Sequence, residues 1–266
     1  MKIMVAVKQV AALDEDFELQ GDDRGVDPDF LIHDLNEWDD FSLEEAVKIK
    51  EAWSTPVEIV AVTVGPGGAD EILRKCLAKG ADRAVRVWED AIEGSDPVAI
   101  ARVLAAAAKR EAPDMLFAGV QSSDQSCAST GIATAAFLDW PHAAVLTQLE
   151  LAPGAKSAVF RRELEGGLLH EVEIQCPAVL TIQLGINTPR YASLRSIKQA
   201  AVKPVEVLSL ADLSLSAADV GESGSASRVR SMYRPQKGSA QLIAGDAAAQ
   251  AARLAEIIRE FKGGSP

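Results

Sequence analysis

The sequence predicts an α/β protein with a mostly parallel sheet flanked by helices, an antiparallel meander, and a C-terminal arm that ends in a helix. In the first half, short apolar runs alternate with amphipathic segments of about 10 to 15 residues, as in parallel strands joined by right-handed helical crossovers. Between residues 143 and 174 the apolar runs are separated only by short turns, which indicates antiparallel pairing. Beyond residue 206 the sequence is rich in Ser, Ala, Asp and Gly and weakly periodic, which is typical of an extended arm.

The apolar runs define the predicted strands. A short run without alternation, such as residues 3–7, is typical of a strand that is buried on both faces. Turns at Pro153-Gly154 and Gly166-Gly167 separate the strands of the meander. The predicted strands are residues 3–7, 57–64, 84–87, 115–119, 143–149, 158–163, 169–174 and 178–183.

Capping residues and apolar stripes define the predicted helices. Ser42 and Glu45 have the spacing of a capping box, so a helix is expected to begin at Ser42. Asp96 and Pro97 suit the cap and first turn of another helix, and Gly80 suits a C-terminal cap. The predicted helices are residues 42–52, 69–79, 96–110, a segment that ends near 138, and 246–262.

Two segments are expected to lack regular secondary structure, and the C-terminal helix lacks an obvious packing partner. Residues 11–34 are acidic and are expected to be irregular, and residues 185–205 are basic and loop-like. The C-terminal helix needs a surface for its apolar face, either the body of its own chain or another subunit. We therefore divide the chain into an α/β domain at 1–205 and an arm with a helix at 206–266. The apolar face of that helix carries Leu254, Ile257, Ile258 and Phe261.

The composition limits the class of partner. With 27 Lys and Arg against 39 Asp and Glu, the formal net charge is −12, so nucleic acid is not an expected ligand. No apolar run approaches the roughly 20 residues that a transmembrane helix needs. Cys76, Cys127 and Cys176 lie far apart without metal-type spacing. We therefore expect small buried side chains in a reduced, cytoplasmic setting, and no metal site.

The sequence lacks the patterns of a self-contained hydrolase or transferase. His33, His142 and His170 are scattered, and no nucleophile-elbow, zinc-protease or phosphate-loop motif occurs. No G-x-G-x-x-G follows the first strand, so a dinucleotide site of that type is not indicated. We predict no catalytic residues and a chain that is not itself an enzyme.

The segment 119–131, G-V-Q-S-S-D-Q-S-C-A-S-T-G, is the best candidate for ligand binding. It joins a predicted strand to a helix, and parallel sheets bind ligands at the C-terminal ends of their strands. Free amides at the helix start, with the hydroxyls of Ser129 and Thr130, would hold a phosphate. The alternative is an ordinary capped helix start, which Ser and Asp favour in any case.

The segment 187–194, N-T-P-R-Y-A-S-L, is the second candidate. Pro189 stiffens the loop, and Tyr191 and Leu194 are residues that become interface anchors when they are exposed. The alternative is that these apolar side chains fold back into the core.

Trp38 and two acidic residues also have two interpretations each. Trp38 precedes a predicted helix, where it either packs in the core or forms a wall for a flat cofactor. Glu163 and Glu165 lie at a predicted hairpin end, where a solvated turn is the simpler interpretation.

Six stretches resemble the β (small) subunit of electron-transfer flavoproteins, in that family's order and spacing and over nearly the whole chain. The A-K-G-A-D-R and P-R-Y-A-S-L stretches are specific. The forms N-E-W-D-D-F and G-V-Q-S-S-D-Q most resemble β subunits of methylotrophic bacteria, whose donor is trimethylamine dehydrogenase. The stretches are V-A-V-K at 5–8, N-E-W-D-D-F-S-L-E-E-A-V at 36–47, L-A-K-G-A-D-R-A at 77–84, R-E-L-E-G-G at 162–167, C-P-A-V-L-T at 176–181 and N-T-P-R-Y-A-S-L at 187–194.

The resemblance implies an electron-carrier subunit with a fold similar to adenine-nucleotide α-hydrolases. Its partner would be an α subunit that holds most of the FAD, and the αβ complex would pass electrons from a dehydrogenase to a downstream acceptor. This chain would itself hold an AMP with a structural role. The AMP-binding positions that the resemblance implies are Ala6, Asn36, Glu37, Trp38, Asp39, Val64, Gly119, Gln121, Ser122, Ser123, Asp124, Gln125, Ser126, Cys127, Ala128, Ser129 and Thr130.

The resemblance also implies a recognition loop at 182–204 that docks the dehydrogenase, with Leu194 as its anchor. The implied docking residues are Pro189, Arg190, Tyr191 and Leu194, and the residues implied near the flavin are Leu13 and Trp38.

The sequence departs from the family pattern at three places. Many relatives have Asn-Pro-aromatic where residues 36–38 read N-E-W, and many end the AMP loop with N-Q-T-G where residues 128–131 read A-S-T-G. An aromatic residue that is common beside the flavin is Leu13 here. The resemblance therefore supports backbone contacts to the phosphate better than side-chain contacts.

A second class of function is a self-contained adenine-nucleotide enzyme or sensor on a similar core. A pyrophosphatase of that kind would have S-G-G-x-D after the first strand, where residues 8–12 read K-Q-V-A-A. A small sensor would not need the segment beyond residue 205. Co-purification with a larger yellow subunit distinguishes the two classes.

Overall fold

A nine-stranded sheet forms the centre of the computed structural model, which describes residues 1–13, 17–235, 238 and 240–263. The strands are β1 Lys2–Ala6, β2 Gln9–Leu13, β3 Leu31–Leu35, β4 Glu58–Val64, β5 Arg83–Val87, β6 Met115–Gly119, β7 His142–Glu150, β8 Ser157–Glu163, β9 Leu169–Gln175, β10 Ala178–Ile182 and β11 Glu206–Leu208. The large sheet has the order β11-β5-β4-β1-β6-β10-β7-β8-β9, and β2 and β3 form a separate ribbon.

The sheet combines the two predicted kinds of pairing. Strands β11, β5, β4, β1, β6 and β10 are parallel to one another, and β7 is parallel to β10. Strands β7, β8 and β9 then pair antiparallel. The predicted fold class, a mostly parallel sheet with an antiparallel meander, is therefore confirmed.

The helices lie between the strands as the pattern predicted, with differences at their ends. Asp96 caps the third helix through Oδ1, which accepts hydrogen bonds from the amides of Val98 and Ala99 at 3.0 and 2.9 Å. Gly80 ends the second helix with a φ of 133°, a conformation that favours glycine. The helices are α1 Glu37–Ala52, α2 Asp70–Lys79, α3 Pro97–Glu111, α4 Thr130–Leu138, α5 Leu194–Ala201, α6 Gly221–Gly224 and α7 Ala247–Gly263.

Each face of the parallel strands packs into its own apolar core. In β1, Ile3 lies in a core with side chains of α1 and α2, and Met4 lies in another with side chains of α3 and α4. Both side chains are fully buried. This two-sided burial explains why the strand sequences are continuously apolar.

Helix α1 begins earlier than the capping-box pattern predicted. Its first residue is Glu37, and Ser42 lies inside the helix, where its hydroxyl donates to the carbonyl of Trp38 at 3.0 Å. The predicted start at Ser42 is wrong. Ser42 does not cap the helix, because its hydroxyl donates to the carbonyl four residues earlier, as serines inside helices often do. The earlier start places 37–39 in the first turn, at the C-terminal edge of the sheet.

The expectation that the acidic segment 11–34 is irregular is wrong at its two ends, and residues 14–16 lie outside the described part of the chain. Strands β2 and β3 pair antiparallel from Gln9 with Leu35 to Leu13 with Leu31. Among the ribbon's described side chains, which exclude that of Leu13, Val10 alone belongs to the buried core, so these strands lack the burial pattern of a half-buried strand.

The segment 185–205 contains a helix, which corrects the expectation of a loop. Ser193 caps α5, since its hydroxyl accepts a hydrogen bond from the amide of Ser196 at 3.1 Å. At the other end of the helix, Arg74 of α2 donates to the carbonyls of Ala200 and Ala201 at 3.3 and 2.9 Å. Ala200 is buried whereas most of the helix is exposed. Leu194, Ile197 and Ala201 recur at helical spacing, a signal that the interpretation of this basic segment as a loop overlooked.

The segment after residue 205 begins inside the compact body. Strand β11 extends the sheet beside β5, and Asp96 accepts hydrogen bonds through Oδ2 from the amides of Ala226 and Ser227 at 2.9 and 2.8 Å. The compact unit accordingly extends from Met1 to Ser231, beyond the predicted division at 205. Leu208, Leu210, Leu213 and Val220 are also buried in the apolar core, so burial as well as hydrogen bonding attaches this stretch. These few apolar residues lie among many Ser, Ala, Asp and Gly residues, so the sequence shows no clear periodic signal there.

The second compact unit begins at Met232 and contains α7. Asp246 caps this helix by accepting a hydrogen bond from the amide of Ala249 at 2.9 Å. Leu254, Ile258 and Phe261 are exposed, the last to 86%. Among the described residues, no helix is long and apolar enough to cross a membrane.

Candidate functional site

A cavity of about 260 Å³ lies at the C-terminal ends of β1, β4 and β6. Helix α3 and the loop that enters α4 form its other walls. We call the segment 119–131 the nucleotide loop, after the AMP that the resemblance implies there. Of the AMP-binding positions that the resemblance implied, those that line the cavity are Ala6, Asn36, Asp39, Val64, Gly119, Gln121, Ser122, Asp124, Gln125, Cys127, Ala128, Ser129 and Thr130.

The four other implied positions lie outside the cavity lining. Glu37 is exposed, and the indole of Trp38 is turned towards Gln183. Ser123 takes part through its backbone, and the hydroxyl of Ser126 donates to the carbonyl of Ser122 within the loop.

Asp39 joins the ends of two neighbouring strands below the cavity. Its carboxylate accepts hydrogen bonds from the amides of Lys8, just beyond β1, and Gly119, at the end of β6, at 2.8 and 2.9 Å. Burial raises the pKa of Asp39 to about 7, although these hydrogen bonds favour the charged form. Because both strand ends depend on it, this carboxyl fixes the position of the cavity floor.

Asn36 holds the start of the nucleotide loop. Its amide nitrogen donates to the carbonyl of Gln121 at 2.9 Å, and its side-chain oxygen accepts from the amide of Ser123 at 3.2 Å. Asn36 is buried, so both halves of its amide group are used inside the protein.

Glycine allows the nucleotide loop to begin and end close to other backbone. A Cβ at Gly119 would lie 2.5 Å from Oδ1 of Asp39 and 2.5 Å from Cβ of Trp38. A Cβ at Gly131 would lie 2.7 Å from Cγ2 of Thr181. Larger residues at either position require the cavity wall to move.

The cavity has an apolar end and a polar end. Pro97, Ile100 and Leu104 of α3 contribute to the apolar end, together with the strand-end side chains. At the polar end α4 begins, and its backbone ladder starts with the bond from the amide of Ala133 to the carbonyl of Ser129, at 2.9 Å. The preceding amides therefore point out of the helix start, where they attract an anion.

The sequence did not predict several residues of the cavity. Lys8 follows the first strand directly in V-A-V-K, which is a local signal that would have found it. The α3 residues carry no such signal, since an apolar stripe on a helix ordinarily indicates core packing. The lining residues outside the predicted segment 119–131 and the implied positions are Val7, Lys8, Ser95, Pro97, Ile100, Leu104 and Ala118.

The two positions that the resemblance places near the flavin are described to different extents. Trp38 lies in the first turn of α1, and its indole nitrogen donates to Oε1 of Gln183 at 2.9 Å. Leu13 ends β2, and its side chain lies outside the described part of the structure. Trp38 thus has a fixed ring orientation.

The implied docking residues form an exposed surface next to α5. Tyr191 is 99% exposed and Leu194 is 80% exposed, so neither folds back into the core. Pro189 is half-buried. We call the exposed apolar side chains of this segment the docking face, and its members are Tyr191, Leu194, Ile197 and Val202.

Arg190 fixes the docking face to α1. Its guanidinium donates to Glu44 at 2.8 and 2.9 Å and to Glu51 at 2.6 and 2.9 Å. These hydrogen bonds lower the pKa of Glu51 and raise that of Arg190. Asn187 adds hydrogen bonds to the carbonyl of Phe41 and to Oε2 of Glu45, so two side chains hold the segment on one helix.

Comparison with known proteins agrees with this architecture. Residues 32–213 match the sequence profile of the electron transfer flavoprotein domain. The chain is 66% identical over 263 residues to the electron transfer flavoprotein subunit beta of Methylophilus methylotrophus, covering 99% of this chain and 100% of that protein. It is 39% identical over 215 residues to the same subunit of Bos taurus and 38% identical over 213 residues to the mitochondrial subunit of Arabidopsis thaliana. Both of these alignments cover 80% of this chain and 83% of the relative. The chain belongs to the electron transfer flavoprotein family, as a relative of its β subunits.

Proposed function

We propose that this chain is the β subunit of a heterodimeric electron carrier, which receives electrons from a dehydrogenase and delivers them to a downstream acceptor. The observation that carries this proposal is the identity of 66% along essentially the whole length of a named β subunit. The redox chemistry is supplied by FAD when it is bound, and the protein contributes position and environment. The chain itself is a carrier subunit and not a catalyst.

AMP is the proposed ligand of the cavity. The apolar end between the strand ends and α3 suits a purine, and the polar end at α4 suits a single phosphate. The volume of about 260 Å³ is near the lower limit of small-molecule pockets, which start at about 300 Å³. Asp39, the carboxyl nearest the floor, already accepts two backbone hydrogen bonds and is in no position to activate water. The nucleotide is therefore bound for structure and is not turned over.

FAD is too large for the same cavity, because it contains a flavin unit in addition to an AMP unit. We propose that an α subunit holds most of it and that this chain contributes one edge. Trp38 supports this assignment, since a flat ring fixed by Gln183 offers a wall to a flat cofactor. Leu13 is proposed beside it on the resemblance alone.

The C-terminal unit is proposed to bind the α subunit. Its helix α7 exposes Leu254, Ile258 and Phe261. A chain that ends at Ser231 keeps the whole first compact unit, so its nucleotide content should stay intact. We expect this truncated chain to lose the α subunit in co-purification. Recovery of the α subunit with its FAD at the wild-type ratio would show that α7 does not hold it.

The docking face is proposed to bind the dehydrogenase. A fixed segment that presents exposed apolar anchors is the arrangement found at interface hot spots. Trimethylamine dehydrogenase is our candidate donor, on the resemblance of N-E-W-D-D-F and G-V-Q-S-S-D-Q to β subunits of methylotrophic bacteria. A cytoplasmic location is proposed because Cys76, Cys127 and Cys176 are free thiols.

One preparation tests the core of this proposal. The chain is co-expressed with its α subunit, and the purified complex is analysed by native mass spectrometry and by acid release of nucleotides. We expect one α and one β subunit, one FAD, and one AMP that is recovered unchanged. A colourless β chain that hydrolyses ATP would establish the alternative, a self-contained adenine-nucleotide enzyme.

A further inference from the structure

Lys8 contacts the nucleotide loop at three points. Its ammonium nitrogen lies 3.2 Å from Oγ of Ser122, 2.8 Å from Oδ1 of Asp124 and 3.3 Å from Oε1 of Gln125. Its backbone amide is held by Asp39 at 2.8 Å. Lys8 is therefore fixed to the cavity floor at one end and to the loop at the other.

The middle of the nucleotide loop needs such support. Asn36 holds the start of the loop, and α4 holds its end. Between them, Ser126 and Ala128 have φ values of 51° and 50°, a left-handed conformation that is unfavourable for residues other than glycine. Residues 123–128 are also exposed, so burial contributes little to fixing this stretch.

Lys8 is the one basic side chain among the described residues that line the cavity. A direct contact with a phosphate would be its obvious role. However, a lysine ammonium has three N–H donors, and the three contacts to the loop use all of them. Burial alone would raise the pKa of Asp124, but hydrogen bonds from Lys8 and Ser122 hold it below its ordinary value, so the partner carboxylate stays charged.

We propose that Lys8 is a latch, a positioning residue that holds the nucleotide loop closed along the cavity and slows release of the nucleotide without contacting its phosphate. This inference rests on the proposed AMP site. The phosphate is then left to the amides at the start of α4 and to the hydroxyls of Ser129 and Thr130.

Release kinetics test the latch. The chain is co-expressed with its α subunit, loaded with labelled AMP and chased with excess unlabelled AMP. We expect Lys8→Met and Asp124→Asn each to release AMP about fivefold faster, the effect of losing one partly exposed ion pair. The charge-swapped variant, Lys8→Asp with Asp124→Lys, should return release to near the wild-type rate. Lys75→Met is the control and should release AMP at the wild-type rate. Lys75, on α2, forms exposed ion pairs with Asp34 and Glu71 outside the cavity.

Adenosine separates a latch from a phosphate ligand. A latch acts on the loop, so Lys8→Met should weaken the binding of AMP and the binding of adenosine by the same factor. If Lys8 contacts the phosphate, Lys8→Met weakens the binding of AMP but not of adenosine, and the charge swap does not restore it. That result would overturn the proposal. Amide hydrogen exchange in residues 120–128 should also rise in Lys8→Met, and unchanged exchange would count equally against the latch.

The outcomes distinguish this inference from the function on which it rests. A wild-type complex without AMP removes the proposed nucleotide site and the latch with it. A wild-type complex that retains AMP, with Lys8→Met and Asp124→Asn releasing it at the wild-type rate, refutes the latch alone. Asp124 is on the exposed part of the loop, so its variant reports on the latch even where a change at Lys8 impairs folding.

Discussion

The nucleotide cavity and the docking face are both fixed to helix α1, yet they present opposite surfaces. At the start of the helix, Asn36 and Asp39 are buried and form hydrogen bonds to the cavity wall. Further along, Glu44 holds Arg190, and the segment fixed in this way exposes Tyr191 and Leu194. The polar groups are inside in the first region, and the apolar groups are outside in the second.

This difference matches two kinds of binding. A ligand that stays bound needs a rigid cavity wall. Buried polar groups that form hydrogen bonds within the protein keep such a wall in place. A partner that must dissociate in each cycle needs a few exposed anchors on a rigid base. Different residues contact the two regions, although both regions are fixed to the same helix. A single substitution can therefore disturb one region and leave the other intact.

The largest effect is expected at Gly119, in the cavity wall. A Cβ there would meet Asp39 and Trp38 at 2.5 Å, which is closer than packed atoms tolerate. Gly119→Ala should lower the free energy of unfolding by about 3 kcal/mol, measured by urea denaturation of the full chain. The variant should also retain less AMP.

Gly67→Ala is the matched control for this change. A Cβ at Gly67 would have nothing within 4 Å, so its free energy of unfolding should stay within about 0.5 kcal/mol of wild type. Equal stability of the Gly119 and Gly67 variants would mean that the cavity wall gives way easily, and the contrast between a fixed wall and an exposed docking face would be lost.

The next effect is expected at Arg190, which fixes the docking face. Arg190→Ala leaves the carboxylate of Glu44 buried without its cation, because Glu44 is 6% exposed. We expect a loss of about 2 kcal/mol in the free energy of unfolding, together with weaker dehydrogenase binding.

Arg161→Ala provides the comparison for Arg190. Arg161 pairs with Glu171 at 2.6 Å, but both side chains are exposed to solvent, so the loss should be much smaller than for Arg190. If both variants melt at the wild-type temperature, Arg190 is not a structural clamp and acts on the dehydrogenase directly.

Leu194 should affect binding and leave stability unchanged. It is 80% exposed, so Leu194→Ala removes little core packing. An interface anchor typically contributes about 2 kcal/mol, a thirtyfold change in affinity. Reduction by the dehydrogenase should therefore slow at low carrier concentration, while melting temperature, AMP and FAD stay as in wild type.

Ile32→Ala is the control for Leu194, since Ile32 is exposed to 67% on β3 and outside the docking face. Its reduction kinetics should match wild type. Identical kinetics for Leu194→Ala over the whole concentration range would remove Leu194 from the docking assignment, and a melting temperature lowered by several degrees would make it a core residue.

The features that the sequence predicted are those set by local pattern and burial. Continuous apolar runs gave β1 and β6, and the strand followed by a Ser-rich turn and a helix gave the nucleotide loop. Strands β2 and β3 were missed because most of their described side chains are exposed or only partly buried. Helix α5 does carry apolar residues at helical spacing, but it has only eight residues and lies in a basic segment that was interpreted as a loop. A capping-box pattern inside α1 placed the helix start too late.

The missed parts of the site depend on contacts between distant residues. Lys8 meets Asp124 across 116 positions of sequence, and Asp39 meets Gly119 across 80. No local pattern contains such a pair. The contact of Arg190 with Glu44 was not predicted for the same reason, because Glu44 is 146 residues earlier and lies inside an ordinary amphipathic helix.

The smallest expected effect is a pH dependence that belongs to the cavity wall alone. Burial raises the pKa of Asp39 to about 7 in the folded chain, whereas an unfolded aspartate titrates near 4. Between pH 8 and pH 6 the folded state therefore takes up a proton that the unfolded state does not. Stability from this group is present at low pH and is lost as the pH rises through 7, by about 1.4 kcal/mol between pH 6 and pH 8.

Asp39→Asn removes this titration while keeping the shape of the side chain, so the variant should lack the rise in stability from pH 8 to pH 6. Urea denaturation of both chains at several pH values in that window measures the difference. Below about pH 5 both chains should lose stability together, because Asp96 and Glu206, whose pKa values are lowered in the fold, become protonated. Parallel curves between pH 8 and pH 6 would instead mean that the two backbone hydrogen bonds from Lys8 and Gly119 outweigh burial and keep Asp39 ionised. The cavity floor would then be a fixed negative charge beneath a bound phosphate, and AMP retention would not change across the same window.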